Sequence, residues 1–111
     1  MSPQSDLKPA SERILALAQA RNLNEAEITA EGETMAFLVS GTRCGQLRDQ
    51  DTLVLHCPEE QRAMLVEISP EIYLAPAETS GSKALLIRLS KIGDEELSLR
   101  LEDAWTFCRS A

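Results

Sequence analysis

Aromatic residues are scarce in this 111-residue chain: one Trp, one Tyr and two Phe, 4% in all. Leu, Ile, Val, Met and Ala must therefore fill any core, and aromatics for stacking nucleic-acid bases are missing from the region of Arg43, Arg48, Lys83 and Arg88. Positive charge is also short. Eleven basic residues stand against eighteen acidic ones, a net charge of −7. That balance favours solubility and disfavours broad electrostatic binding to nucleic acid or anionic membranes. No run approaches the roughly 18 apolar residues of a membrane span. The opening MSPQSDLKPASER lacks the basic-then-apolar pattern of a signal peptide, and residues 1–7 read as a loose lead-in. Cysteine is sparse and odd in number: Cys44, Cys57 and Cys108. This pattern leads us to expect reduced thiols and a cytoplasmic protein.

Motifs that carry chemistry are missing as well. A structural zinc site wants four ligands, commonly in closely spaced pairs such as CxxC. Here Cys44 and Cys57 are thirteen positions apart, and the single His, His56, adjoins Cys57. If residues 52–57 form a strand, His56 and Cys57 point to opposite faces and cannot converge on one metal. A Cys–His nucleophile pair would need hydrogen-bond reach and a third group to orient the base. Cys57 instead follows the face of Leu53 and Leu55 and reads as a small buried hydrophobe. Gly41 and Gly45 belong to no GxGxxG or GxxxxGK[ST] pattern and precede no helix, so turn chemistry explains them. Glu59/Glu60, Glu95/Glu96 and Glu102/Asp103 fall in first turns or on polar helix faces, where a solvated surface is the default. Neither a catalytic set nor a cofactor is expected.

The patterning that is present describes one domain over residues 1–111, long enough to bury a core without staples. Leu7, Ala10, Ile14, Leu17 and Ala18 step by three or four, which predicts a helix over 8–21 with Pro9 in its first turn and Asn22 as a left-handed terminator. Ala26, Ile28 and Ala30 alternate with polar partners. Gly32 and Glu33 offer a turn, and 35–39 is an apolar run of strand length. Gly41 and Gly45 bracket another turn or bulge. The polar tip Arg48-Asp49-Gln50-Asp51 leads into a strand at 52–57, giving an antiparallel meander.

Pro58 opens a short helix with Glu59 and Glu60 at its positive end. Gln61, Met64, Leu65 and Ile68 share one face, and Ser69-Pro70 ends it. Residues 72–74 and 83–89 are strand-like, with a loop at 76–81. The last helix begins after an N-cap at Gly93, with Ile92 and Leu97 placed as a hydrophobic staple. Leu97, Leu101, Ala104, Trp105 and Cys108 form an unbroken stripe, in which Trp105→Ala should cost about 3–5 kcal/mol. The order helix, strands, short helix, strands, helix predicts an α+β domain with a single antiparallel sheet covered by helices.

Basic residues are scattered. Arg43 and Arg48 flank the central hairpin, and Lys83 and Arg88 sit on a later strand. Neighbouring strands would join them into a small basic patch; isolated surface charges are the expectation, given the net charge.

The segment "DTLVLHCPEEQRAMLVEISPEIYLAP", a Gly-containing loop, a strand and then "IGDEELSLRLEDAWTFC" resembles the MmcQ/YjbR family of small bacterial proteins. The likeness covers the C-terminal half by motif and the rest by order of elements. Two features depart from the family pattern. Gly41-Thr42-Arg43-Cys44 lacks the family's Gly-Lys-aromatic, and Ala84 or Leu85 stands where a Trp opens the penultimate strand. The resemblance implies an α+β fold with a curved antiparallel sheet, similar to type III secretion chaperones, no enzymatic activity, and DNA binding through wing-like hairpins. In that reading Arg43, Arg48 and Arg88 contact phosphates. The charge points instead to a protein-interaction adaptor, monomeric or a chaperone-like homodimer built on an apolar sheet face or helix.

Overall fold

Alternation of apolar and polar residues builds the first hairpin. In the computed structural model, which describes residues 3–75 and 84–110, β1 (Ala26–Glu31) pairs antiparallel with β2 (Thr34–Val39). Gly32 takes φ +62° at the turn. β3 (Thr42–Leu47) follows a two-residue turn in which Ser40 and Gly41 are both left-handed, at φ 53° and 79°. Two successive positive φ values give the primed turn whose twist matches the flanking strands. Pairing then slips by one residue: Phe37 faces Gly45, but Leu38 faces Arg43. Cys44 is the extra residue of that bulge.

β4 (Thr52–His56) completes the meander, and α2 (Glu59–Ile68) leads to β5 (Tyr73–Leu74) and β6 (Ala84–Arg88). The sheet has six strands in the order β1-β2-β3-β4-β6-β5, antiparallel throughout. This is the expected α+β architecture. The expected loop at 76–81 and Lys83 lie outside the described residues.

One face of the sheet carries Phe37, Val39, Leu47, Leu53, Leu55, Tyr73, Leu85 and Ile87 into the core. Over it lie α1 (Pro3–Ala20) and α3 (Asp94–Ser110), which contribute Ile14, Ala18, Leu97, Leu101 and Ala104. α1 starts at Pro3, five residues before the expected Lys8, and Leu7 is buried in the core rather than part of a loose lead-in. Pro9 consequently sits inside the helix, where it removes one backbone donor. Asn22 does terminate the segment, at φ 57°. Arg13 ties α1 to the entry of α3: its guanidinium donates to the carbonyls of Leu89 and Ile92 at 2.9 and 2.8 Å and meets Asp94 at 2.7 Å.

Both long helices contribute to the core face, and the opposite face carries Thr34, Arg43, Gln46 and His56 among the described residues. Over its β1–β3 half the side chains satisfy one another: Gln46 donates to the Thr34 hydroxyl at 2.9 Å, and Arg43 reaches across β2 to Glu31 at 2.5 Å.

The expectation of three reduced thiols is corrected. Cys44 and Cys108 are joined in a disulfide, with Cα atoms 6.1 Å apart at a sequence separation of 64. Only tertiary packing brings the β3 bulge beneath the last turn of α3, so spacing held no signal of the pair. Cys57 is the free thiol among the described residues.

Candidate interaction surface

β4 separates the His and Cys that sequence placed side by side. His56 pairs with Ala84 and is half-buried on the sheet face away from the core. Cys57 is 3% exposed and belongs to the core. Burial pushes the Cys57 thiol up to about 11, with Arg62 opposing and Asp103 adding to the rise. A thiol so protonated is a poor nucleophile at neutral pH. Among the described residues no group of three or more His, Cys, Asp or Glu is placed to hold a metal ion.

The three arginines expected to contact phosphates do not assemble. Arg43 stands at the start of β3, held by Glu31. Arg48 follows the other end of β3, where its backbone N–H donates to the Thr52 carbonyl at 2.9 Å. Thr52 in turn lies opposite Arg88 on β6. Arg48 and Arg88 thus share one end of the sheet without Arg43, and acids share that end with them. Asp49 accepts the N–H groups of Asp51 and Thr52 at 2.8 Å each, and Asp51 accepts that of Ser90 at 2.7 Å. Hydrogen bonding from Ser90 holds the Asp51 carboxyl below the usual range, helped by Arg88 and Lys91.

Exposed apolar side chains are concentrated elsewhere. Of the four residues expected on one face of α2, Leu65 is buried, while Met64 and Ile68 are 51% and 69% exposed. Leu99 on α3, at 37%, is the other large hydrophobic exposed among the described residues. Gln61 on α2 donates to Asp103 on α3 at 2.7 Å. On α2, Met64 and Ile68 are three and seven positions beyond Gln61; on α3, Leu99 is four positions before Asp103. Residues at those spacings share a helix face. Past the end of α2, the Tyr73 hydroxyl donates to Glu96. Gln61 and Tyr73 thus tie α2 and β5 to two places on α3, Asp103 and Glu96.

Arg100 on α3 has its Nε 3.2 Å from Asp103, in an ion pair too poorly aligned to be a hydrogen bond. Burial, then the bond to Glu96, raises the Tyr73 hydroxyl well above its ordinary value, so it stays a donor. An open hollow of ≈ 540 Å³ lies along α3, lined by Gly93, Glu95, Glu96, Leu99 and Arg100. Glu60 and Glu67 on α2, Glu71 after it and Glu95 on α3 are all exposed.

Sequence reasoning did not single out these exposed apolar side chains, although a signal was present on α2. Residues 63–68 hold five apolar residues in six positions, more than one buried stripe of a ten-residue helix can absorb. Compared with known proteins, the chain matches no family model, no curated protein and no solved structure.

Proposed function

We propose that this chain is a non-enzymatic binding domain that holds a protein partner through the apolar side chains exposed on α2 and α3. The observation that carries this reading is the exposure of Met64 and Ile68 one turn apart on α2, which with Leu99 on α3 are the large exposed hydrophobics of the described residues. Isolated exposed apolar residues are ordinary on a protein surface, whereas a contiguous group marks an interaction site. The DNA-binding reading, which rests on the MmcQ/YjbR resemblance, is the second one. It has wing-like hairpins in its favour. Against it stand the engagement of Arg43 by Glu31, the acids beside Arg48 and Arg88, and the net charge of −7.

A monomer fits this proposal better than a homodimer. A two-fold interface joins the same surface of both copies, so self-pairing through α2 would bring two surfaces carrying exposed Glu60 and Glu67 together. Among the described residues no helix is long and apolar enough to cross a membrane. The expected cytoplasmic location belongs to this proposal, and the Cys44–Cys108 disulfide pulls against it, because reducing compartments keep such bonds open.

A photo-crosslinking residue at position 64 or 99, compared with one at 43 or 88, tests the reading in cells. Capture of one shared protein from both 64 and 99, and not from 43 or 88, is expected. Fluorescence anisotropy with a random-sequence DNA duplex at low salt should show no binding. Salt-sensitive duplex binding that disappears in an Arg48→Glu/Arg88→Glu variant would overturn the reading in favour of DNA.

A further inference from the structure

We infer that Cys108 is a site of thiol–disulfide exchange, where a small, carboxylate-bearing thiol of the glutathione class opens the Cys44–Cys108 bond and becomes attached as a mixed disulfide. This is independent of the protein-partner reading. Burial comes first. Cys44, in the β3 bulge, is 0% exposed and lies in the core, whereas Cys108, in the last turn of α3, is half-buried at the edge of that core. An open hollow of ≈ 300 Å³ reaches Cys108, lined by it together with Val39, Ser40, Thr42 and Arg109. Cys44 is not part of that lining. A thiolate attacks in line with the S–S bond, from beyond the sulfur it strikes, and the rate depends on access to that sulfur. The approach to Cys44 runs through the core; the approach to Cys108 runs from its own, half-exposed side.

The hollow also selects the thiol. Arg109 sets a cation beside Cys108, its guanidinium stacked 4.5 Å from the Trp105 ring centroid. Thr42 and Ser40 add hydroxyls, and the Ser40 hydroxyl already donates to the nearby acid, Glu25. A cation next to the reacting sulfur draws in the thiolate and the carboxylates it carries. Leaving-group chemistry runs the other way. A thiol of lower pKa leaves faster, and of the two it is Cys108, half-exposed beside Arg109, that suits that role. Enclosure outweighs this preference, because a sulfur that no thiol reaches is not attacked. In the step, the incoming sulfur bonds to the Cys108 sulfur, the Cys44–Cys108 bond breaks, and its electron pair leaves with Cys44. Cys44 takes a proton from water, and the Thr42 carbonyl, 3.4 Å from its sulfur, accepts the new thiol's hydrogen bond. One disulfide replaces another, and the last turn of α3 is released from β3 until Cys44 or a second thiol expels the adduct.

The oxidised full chain is incubated with glutathione at about pH 8, quenched with acid at intervals, digested and read by mass spectrometry. The adduct should sit on Cys108 at least ~10-fold more than on Cys44, with Cys57, 3% exposed, unmodified. Because Cys44 expels the adduct, Cys44→Ser and Cys108→Ser, each folded by circular dichroism, are also treated with oxidised glutathione. The first should gain one glutathione at Cys108, and the second none at Cys44. Arg109→Gln should slow opening by glutathione about threefold at low salt, a difference that shrinks as salt rises. An adduct on Cys44, equal labelling of the two serine variants, or a bond that opens only at the rate of global unfolding would overturn the inference. Equal rates for Arg109→Gln and the parent chain would overturn the choice of an anionic thiol.

Discussion

Cys44, in the bulge of β3, is bonded through its sulfur to Cys108 in the last turn of α3. The bond closes a loop, at a sequence separation of 64, that holds β4, α2, β5, β6 and most of α3. Cross-linking so long a loop restricts the unfolded chain, and removing it should cost about 2–4 kcal/mol. Urea unfolding of the oxidised chain, of the same chain in dithiothreitol and of Cys108→Ser tests this. The two reduced forms should agree with each other and fall below the oxidised one. Equal midpoints for all three would mean that the bond contributes nothing to stability.

Gly45 stands next to that bulge for a different reason. A Cβ there would lie 2.3 Å from the Val54 carbonyl oxygen and 3.0 Å from a Leu55 methyl. The first of these is backbone in the neighbouring strand and cannot swing aside. Gly45→Ala should destabilise by about 1–3 kcal/mol, the usual cost of overpacking. At Gly93 an added Cβ meets open space, so Gly93→Ala should lose less than about 1 kcal/mol, and that through the helix cap alone. Thermal unfolding of the two variants side by side separates the effects; comparable losses would place the constraint at Gly45 elsewhere.

Local chemistry explains what could be read from sequence. Strand alternation at residues 26–39 and 52–57, the stripe Leu97, Leu101 and Ala104, the Gly93 cap and the Asn22 terminator each depend on neighbours within one turn or one hairpin. The α+β order follows from them. Features set by rotation and long-range packing were not legible. The Cys44–Cys108 pair depends on where α3 ends over the sheet. The exposure of Met64 and Ile68 depends on how α2 rolls to bury Leu65, and a five-in-six apolar run does not say which flank turns outward. The separation of Arg43 from Arg48 and Arg88 depends on strand register, which sequence leaves open by a residue wherever a bulge intervenes.

Cys57 links burial to pH. Its thiol is neutral in the fold and is raised from 9.0 to about 11, with burial as the largest cause. The unfolded chain therefore releases this proton first as pH rises. Stability is unaffected by the group below about pH 9, falls between pH 9 and 11, and stays reduced above, by linkage. Cys57→Ala should shallow the alkaline slope of stability over that window while changing little at pH 7 beyond the loss of a small buried side chain. At pH 7.5, iodoacetamide should label Cys57 far more slowly in the folded chain than in urea. Rapid labelling of the folded protein would show that the thiol is accessible.

Trp105 bridges α3 to the start of the sheet rather than filling the centre of the core. Its indole Nε1–H donates to the Asn24 carbonyl at 2.9 Å, just before β1, and the Arg109 guanidinium stacks 4.5 Å from the ring centroid. The ring is partly buried against the core, while Leu97 and Leu101 are wholly enclosed. Trp105→Ala should consequently cost about 2–3 kcal/mol, below the 3–5 kcal/mol of a fully buried Trp, because part of the ring already meets water. Trp105→Phe keeps most of the apolar contact and removes the donor, so about 1 kcal/mol should be lost. The order of the two variants is the sharper test. If Phe proves as costly as Ala in urea titrations, the hydrogen bond to Asn24 is what anchors α3 against β1. If Phe is silent, packing under Arg109 is, and the Asn24 carbonyl is satisfied by water in its place.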